Sequence, residues 1–258
     1  MIIAQISDMH IQSDRRLLKD KYDNAGNLEM CIAQLNAIQP DLVLATGDLV
    51  NSGRREEYVF LRELLQPLRA PLYLMPGNHD DRALMRELFP EHAYLQNGQQ
   101  RLHYVIDADG LRIIMLDTLI PGSDEGAIGE AQLAWLDEQL ERAAGQPVMI
   151  GLHHPPFATG PSFMDNRFCA DGPQLGRLIA RYPNVLRVVC GHLHRSIQVN
   201  YAGTVGCLCP STAVAFGLSF SPKSPLFPSS DPTGYYFHLW APGKPMITHT
   251  ALLASTAR

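Results

Sequence analysis

Short apolar runs alternate with longer amphipathic stretches along most of the chain. Ile2–Ile6, Leu42–Ala45, Leu72–Met75, Ile113–Leu116, Val148–Leu152 and Leu186–Cys190 are rich in Val, Ile and Leu and are bounded by Gly, Pro or polar residues. Runs of that length and composition predict strands buried on both faces. Between them, Leu28, Cys31, Ile32, Leu35 and Ile38 form one helical stripe closed by Pro40. Leu61, Leu64, Leu65 and Leu68 repeat it, as do Leu133, Leu136 and Leu140 after the acidic start at Glu130. A fourth helix carries Leu175, Leu178 and Ile179 and stops before Pro183. Spacing at three and four residues marks an apolar helix face. Strand–helix alternation of this kind predicts an α/β fold with helices on both faces of the sheet.

After Tyr201 the texture changes. Residues 216–234 hold four prolines and no periodicity, which predicts a long loop of the kind that acts as a lid or binding segment. Tyr235–Trp240 and Met246–Leu252 then read as two closing strands. No linker or internal repeat interrupts the chain, so residues 1–258 are expected to form a single domain. Its C-terminal part, 205–258, is expected to serve as a lid or an oligomer contact. With 258 residues, 46% of them hydrophobic, the chain can bury a sizeable core without staples.

Composition removes several function classes. No run approaches the ~18 apolar residues of a membrane-spanning helix, and no membrane partner is expected. The formal charge is −5 and no Lys/Arg cluster offers the basic stripe that polymeric nucleic acid requires. Any anionic ligand must be held by something other than a basic surface. Met1 opens directly into a strand-like run without a basic segment or cleavage site, which makes a cytoplasmic location the expectation. The five cysteines, Cys31, Cys169, Cys190, Cys207 and Cys209, include no CxxC pair. An odd number fits reduced thiols better than a disulfide framework.

Chemistry gathers at the strand ends. The first predicted strand ends in Asp8-Met9-His10, the second in Gly47-Asp48 and the third in Gly77-Asn78-His79-Asp80. Later strands end in His153-His154 and in Gly191-His192-Leu193-His194. Ligands in open α/β sheets sit outside the carboxyl ends of the strands, so these side chains are expected to converge. Each motif alone is common, but six of the ten histidines fall in these junctions, which a hydrogen-bonded polar rim would not require. An imidazole, carboxylate and amide set without thiolate suits Zn, Fe, Mn or Co. It exceeds what one four-coordinate ion takes and suits two ions ~3.5–4 Å apart, the spacing used for phosphoryl displacement.

In order, Asp8-x-His10, Gly47-Asp48, Gly77-Asn78-His79-Asp80, His153 and Gly191-His192-x-His194 resemble the five signature blocks of the calcineurin-like metallophosphoesterases. Within that superfamily the early Asp-x-His and the His-His-Pro-Pro at 153–156 look like the bacterial class III cyclic-nucleotide phosphodiesterases, and equally the glycerophosphodiesterases of the same branch. The resemblance implies a four-layer α/β/β/α sandwich of two mixed sheets flanked by helices. It implies two divalent or mixed-valence ions of the Fe/Mn/Zn/Co class. Asp8, His10 and His194 would bind one, Asn78, His153 and His192 the other, and Asp48 would bridge them. His79 would reach the phosphate or leaving group, and Asp80 would hydrogen-bond and orient it.

The implied mechanism is in-line attack on phosphorus by a hydroxide bridging the ions. Two divalent cations, less two carboxylates and a hydroxide, leave a single positive charge, which complements a phosphodiester monoanion better than a monoester dianion. A monoester would call for an added cation. Arg82 and Arg195 are the neighbours in sequence, and both read first as solvent-facing. The expected activity is therefore hydrolysis of small soluble phosphodiesters, 3′,5′-cyclic AMP first and glycerophosphodiesters as the alternative, in a homo-oligomer. Specificity is expected in loops 11–24, 155–172 and 216–234, where Tyr22, Asp23, Asn24, Phe216 or Phe220 would face the substrate or anchor the loop. His154 is a possible substrate contact. His92, His103, His238 and His249 have no motif context and are expected at the surface or in satisfied polar positions.

Overall fold

The computed structural model describes residues 1–253 apart from 20, 162–164, 166 and 222. One position of loop 11–24, four of loop 155–172 and one of loop 216–234, with residues 254–258, therefore lie outside the described residues. In chain order the main elements are β1 (Ile2–Ile6), α1 (Asn24–Ile38), β2 (Leu42–Thr46), α2 (Arg55–Leu65), β3 (Leu72–Met75) and α3 (Arg82–Leu88). Then come β4 (Tyr104–Ala108), β5 (Leu111–Leu116), α4 (Glu130–Ala143), β6 (Val148–Leu152) and α5 (Gly172–Ile179). The last are β7 (Val185–Cys190), β8 (Ile197–Tyr201), β9 (Thr204–Leu208), β10 (Gly234–Leu239) and β11 (Ile247–Leu252).

Two mixed sheets carry these strands, one in the order β11-β10-β1-β2-β3 and the other β4-β5-β6-β7-β9-β8. β1, β2 and β3 are parallel, and so are β5, β6, β7 and β9. Antiparallel strands complete the edges. Side chains alternate across each strand, and that alternation builds the layers. Ala4, Ile6, Val43, Ala45 and Leu74 pack beneath the helices of the first half, with Leu28 and Leu35 of α1 and Leu61 of α2. Ile3, Leu42, Leu44 and Met75, from the opposite face, join the second sheet. That sheet's outer face is covered by Leu136 and Leu140 of α4 and by Leu175 and Ile179 of α5.

The α/β/β/α sandwich implied by the resemblance is thus the architecture observed. Periodicity alone led to one sheet with helices on both faces, and this is corrected. Each sheet has helices on one face and its partner sheet on the other, two environments that select the same apolar residues. Helix α3 and strands β4, β8 and β9 carried no strong periodic signal. β8 is an edge strand whose Gln198 and Asn200 face solvent. The C-terminal part adds to both sheets, β9 pairing with β7 and β10 with β1.

A polar brace joins the sheets. Gln5 of β1 donates from Nε2 to Thr46 Oγ1 and to the Cys190 carbonyl of β7, both at 3.0 Å. Its Oε1 accepts from His238 Nε2 at 3.0 Å, and His238 Nδ1 accepts from the Thr248 hydroxyl at 2.9 Å. His238 is therefore a satisfied buried imidazole. Burial, helped by the Arg187 charge, pushes its pKa down to about 3. A histidine depressed in the folded state contributes stability above its unfolded pKa and loses it as pH falls toward the folded value. Between pH 6.5 and 5 this amounts to about 2 kcal/mol. Denaturant titrations should therefore show His238→Gln losing less stability than wild type over that interval. Equal losses in the two proteins would assign the acid sensitivity elsewhere.

Candidate metal centre

Both parallel runs of strands end on the same side of the sandwich, and the chain crosses between sheets there. Asp8 N–H donates to the Gly47 carbonyl, His10 N–H to Asp48 and Gly191 N–H to His153, each at 3.0 Å. Both oxygens of the Asp8 carboxylate accept the His192 amide at 3.0 Å, which ties β1 to β7. These turns force Asp8, His10, Asp48, His192 and His194 to φ values between 44° and 75°. Left-handed backbone at non-glycine residues is strained, and it persists where the surroundings over-determine it. Here it turns successive side chains into one pocket. Gly47 and Gly77 make the approach possible, because a Cβ would strike His153 Nδ1 at the first and Asp48 Oδ1 at the second.

All seven expected ligands come together. His10 Nε2 lies 3.0 Å from His194 Nε2 and 3.6 Å from Asp48 Oδ2. His194 Nε2 is 3.5 Å from Asp8 Oδ1. On the other side, His153 Nε2 is 3.3 Å from Asp48 Oδ1 and 3.1 Å from Asn78 Oδ1. Asp8, His10 and His194 form one group with the compactness of a metal site, and Asp8, Asp48 and His153 another.

The donor chemistry fits a cation. His153 donates Nδ1–H to the Thr46 carbonyl and His194 donates Nδ1–H to Val214, each at 2.8 Å. Whenever these rings are neutral, Nε2 is then a lone pair open to a cation. His192 Nε2 is buried with no partner among the described residues. Lone pairs crowded out of water repel one another unless positive charge lies between them.

The ionisation equilibria carry the same demand. Burial pushes the Asp8 carboxyl up to about 7, and holds His10 down to about 4 and His192 to about 3. Burial also opposes charge on His153, yet the neighbouring Asp48 carboxylate outweighs it and brings that imidazole up to about 9. Despite its own burial, Asp48 is held well below the carboxylate range by His153.

Several expectations change. His79 stands over the site, its ring centroid 4.6 Å from that of His10. Its Nδ1–H is oriented by the Asn51 carbonyl at 2.6 Å, not by Asp80. Asp80 is instead a brace. Its carboxylate accepts from Gly77 N at 2.8 Å, Leu49 N at 3.1 Å and the Tyr58 hydroxyl at 2.9 Å. His154 is wholly buried and is not among the described residues that line the cavity. Its Nδ1 pairs with Thr118 Oγ1 at 2.8 Å, and its ring lies 4.7 Å from that of His192. Tyr22 packs on Leu18 and Val214, Asp23 caps α1, and Asn24 holds the His10 carbonyl. All three anchor the loop.

The two arginines are not free either. Arg82 pairs in bidentate fashion with the buried Asp117, at 2.6 and 2.7 Å. Arg195 binds Asp231 at 3.1 Å and the Phe216 carbonyl. The cavity over the site, about 190 Å³, has Val214, Phe216 and Leu226 on its wall and Lys19 and Arg167 at its rim. Phe216 stacks on His194 with centroids 4.1 Å apart. Lys19 and Arg167 went unnoticed in the sequence, where no motif flanks either.

A family model described as calcineurin-like phosphoesterase matches residues 1–196, a span that includes all seven expected ligands. The chain belongs to the calcineurin-like phosphoesterase family. Its members are metal-dependent hydrolases. The chain is 36% identical over 237 residues to the glycerophosphodiester phosphodiesterase GpdQ of Enterobacter lignolyticus, covering 90% of this chain and 85% of that protein. It is 31% identical over 220 residues to the 3′,5′-cyclic adenosine monophosphate phosphodiesterase CpdA of Pseudomonas aeruginosa, covering 84% and 78%. A dimetal phosphatase from Danio rerio shares the fold, with a TM-score of 0.72, 13% identity and coverage of 97% and 95%. Among the described residues no helix is long and apolar enough to cross a membrane.

Arg82 opens α3 directly after the Asn78 block, and Asp117 follows β5, so their ion pair clamps one sheet to the other beside this phosphoesterase site. Removing one partner of a buried pair costs about 3 kcal/mol or more. Arg82→Ala should lose that much in chemical denaturation. A loss below about 1 kcal/mol would class the pair with exposed ones.

Proposed function

We propose that this protein is a dinuclear metal-dependent phosphodiesterase of small soluble phosphodiesters, glycerophosphodiesters first and 3′,5′-cyclic nucleotides such as cyclic AMP second. The observation that carries the reading is the Asp48 carboxylate, with Oδ2 toward His10 at 3.6 Å and Oδ1 toward His153 at 3.3 Å. A carboxylate so divided between two ligand groups suits a bridge. In this reading Asp8, His10 and His194 hold one ion, Asn78, His153 and His192 the other, and Asp48 both. Fe, Mn, Zn and Co suit the nitrogen and oxygen donors. When bound, such ions supply Lewis acidity toward phosphoryl oxygens and bring the pKa of water to ~7.

His79 contributes the proton chemistry. Its Nδ1 is committed to Asn51, so Nε2 is the atom available to the cavity. Burial opposes its charge, but Asp48, the Asn51 carbonyl and Asp80 outweigh burial and raise its pKa above 6.5. In its protonated form His79 can donate Nε2–H to a phosphate oxygen or the leaving group.

Glycerophosphodiesters now come before cyclic AMP, reversing the order expected from sequence. A second relative, a probable glycerophosphodiester phosphodiesterase of Arcobacter nitrofigilis, is 33% identical over 98% of this chain, a span that includes the 214–226 cavity wall. The apolar wall of Val214, Phe216 and Leu226 supports the second reading, since a nucleobase could pack there. The proposal extends to a cytoplasmic homo-oligomer. All five cysteines are free and buried, as suits a reducing compartment, and β11 leaves Ile247 and Leu252 exposed at a sheet edge.

Turnover of glycerophosphoglycerol and cyclic AMP by Mn-reconstituted protein, at equal concentrations, tests the reading, and Asp48→Ala should fall to background on both. Activity that survives Asp48→Ala would sink it. The rate should fall on the alkaline side as His79 loses its proton, and His79→Asn should lower kcat by about a hundredfold and abolish that limb. An unaltered limb in the variant would remove His79 as the acid. Asn78 is the one neutral oxygen ligand, so its ion should be held less tightly. Dialysis should leave about one ion per chain by elemental analysis, with a second binding on addition; two ions retained would contradict this.

A further inference from the structure

Two cations at the cavity rim have no part in the chemistry above. Lys19 belongs to the loop between β1 and α1, and Arg167 to the loop between β6 and α5, so they reach the same cavity from different sheets. Leu18 and Tyr22 exchange backbone hydrogen bonds at 2.9 and 3.0 Å, which fixes the root of Lys19. Lys19 makes no ion pair among the described residues. Arg167 lies 3.7 Å from Asp124, with both side chains well exposed. Such a pair is worth little, and the guanidinium keeps most of its attraction for another anion.

A chain of net charge −5 thus sets two cations around this cavity against one further carboxylate of its lining, Asp124. The phosphodiester monoanion is already matched by the metal pair of the proposed mechanism, so these charges are surplus to the reacting phosphate. They line the same cavity as His10, Asp48, Asn78, His79, His192 and His194, and both are exposed, which suits contact with the part of the substrate that extends toward solvent. We propose that Lys19 and Arg167 form an anion subsite that selects phosphodiesters whose second ester arm carries a carboxylate or phosphate, and that disfavours cationic arms such as choline. The proposal rests on the phosphodiesterase reading and names its substrate class. Asp124 tempers the subsite by competing for Arg167.

Three 4-nitrophenyl phosphodiesters test it with one leaving group and three arms: 2-carboxyethyl, ethyl and choline. Metal-loaded wild type should show kcat/KM in that order. Each cation at an exposed rim should contribute about fivefold to the ratio of carboxyethyl to choline ester. The Lys19→Ala/Arg167→Ala double variant should therefore lower that ratio by tenfold or more, and Asp124→Asn should raise it. Competitive inhibition by 2-carboxyethyl phosphate and choline phosphate should follow the same order, and added salt should narrow the gap. A wild-type ratio at or below one overturns the subsite. So does a double variant that slows all three esters in parallel, because a merely structural role would leave the ratio in place. No hydrolysis of even the ethyl ester would remove the phosphodiesterase reading and this proposal with it. Hydrolysis with an unmoved ratio removes the subsite alone.

Discussion

Two desolvated carboxylates, Asp8 and Asp48, sit at the seam where the carboxyl ends of both sheets meet, and the surrounding structure answers to them. A buried carboxylate without partners is costly enough that it would protonate or unfold its surroundings. Asp8 meets the His192 amide, so its satisfaction requires β1 and β7 to stay in contact. Asp48 meets the His79 amide at 2.9 Å and the rings of His10 and His153. Its demands extend from β2 to β3 and β6. The sandwich is thus held shut at one edge by the same groups that make that edge chemically active.

That arrangement stores strain. Five residues with left-handed backbone within one site could not persist on local preference. They are held by braces that take no part in chemistry: Gln5 between the sheets, Asp80 beneath the β2 and β3 turns, and the Arg82–Asp117 pair at the flank. Asp80 shows how such a residue can be mistaken for a catalytic one. It follows His79 in sequence, yet its acceptor sites are filled by backbone amides and Tyr58, which leaves His79 to the Asn51 carbonyl.

Work divides between scaffold and loops in a way common to α/β enzymes. Strand ends hold the Asp, His and Asn cluster, which is buried except for the half-buried Asn78. The wall and rim come from loop segments between the strands and helices. Phe216 and Leu226 of the Pro-rich segment belong to that wall. Ala215 accepts the Ser229 amide, Phe227 accepts that of Gly217, and Arg195 ties Asp231 and the Phe216 carbonyl to the turn after His194. Stacking Phe216 on His194 couples the wall to the ligand cluster.

By itself the sequence determined what depends on near neighbours along the chain. Short apolar runs marked eight of the strands and periodicity four of the helices, because strands buried on both faces are apolar throughout while helix burial repeats every three to four residues. Glycines beside acidic residues and histidines marked the strand ends where chemistry gathers, and the resemblance to the calcineurin-like family implied Asp8, His10, Asp48, Asn78, His153, His192 and His194 as the ligand set. Only the tertiary structure decided which face of each sheet met helix and which met sheet, since both are apolar. It also decided the partners of Asp80, Arg82 and His154, and that Lys19 and Arg167 share a rim. Those facts are contacts between residues far apart in sequence, and electrostatic and packing energies depend on separation in space. No local pattern carries that separation; the folded backbone supplies it.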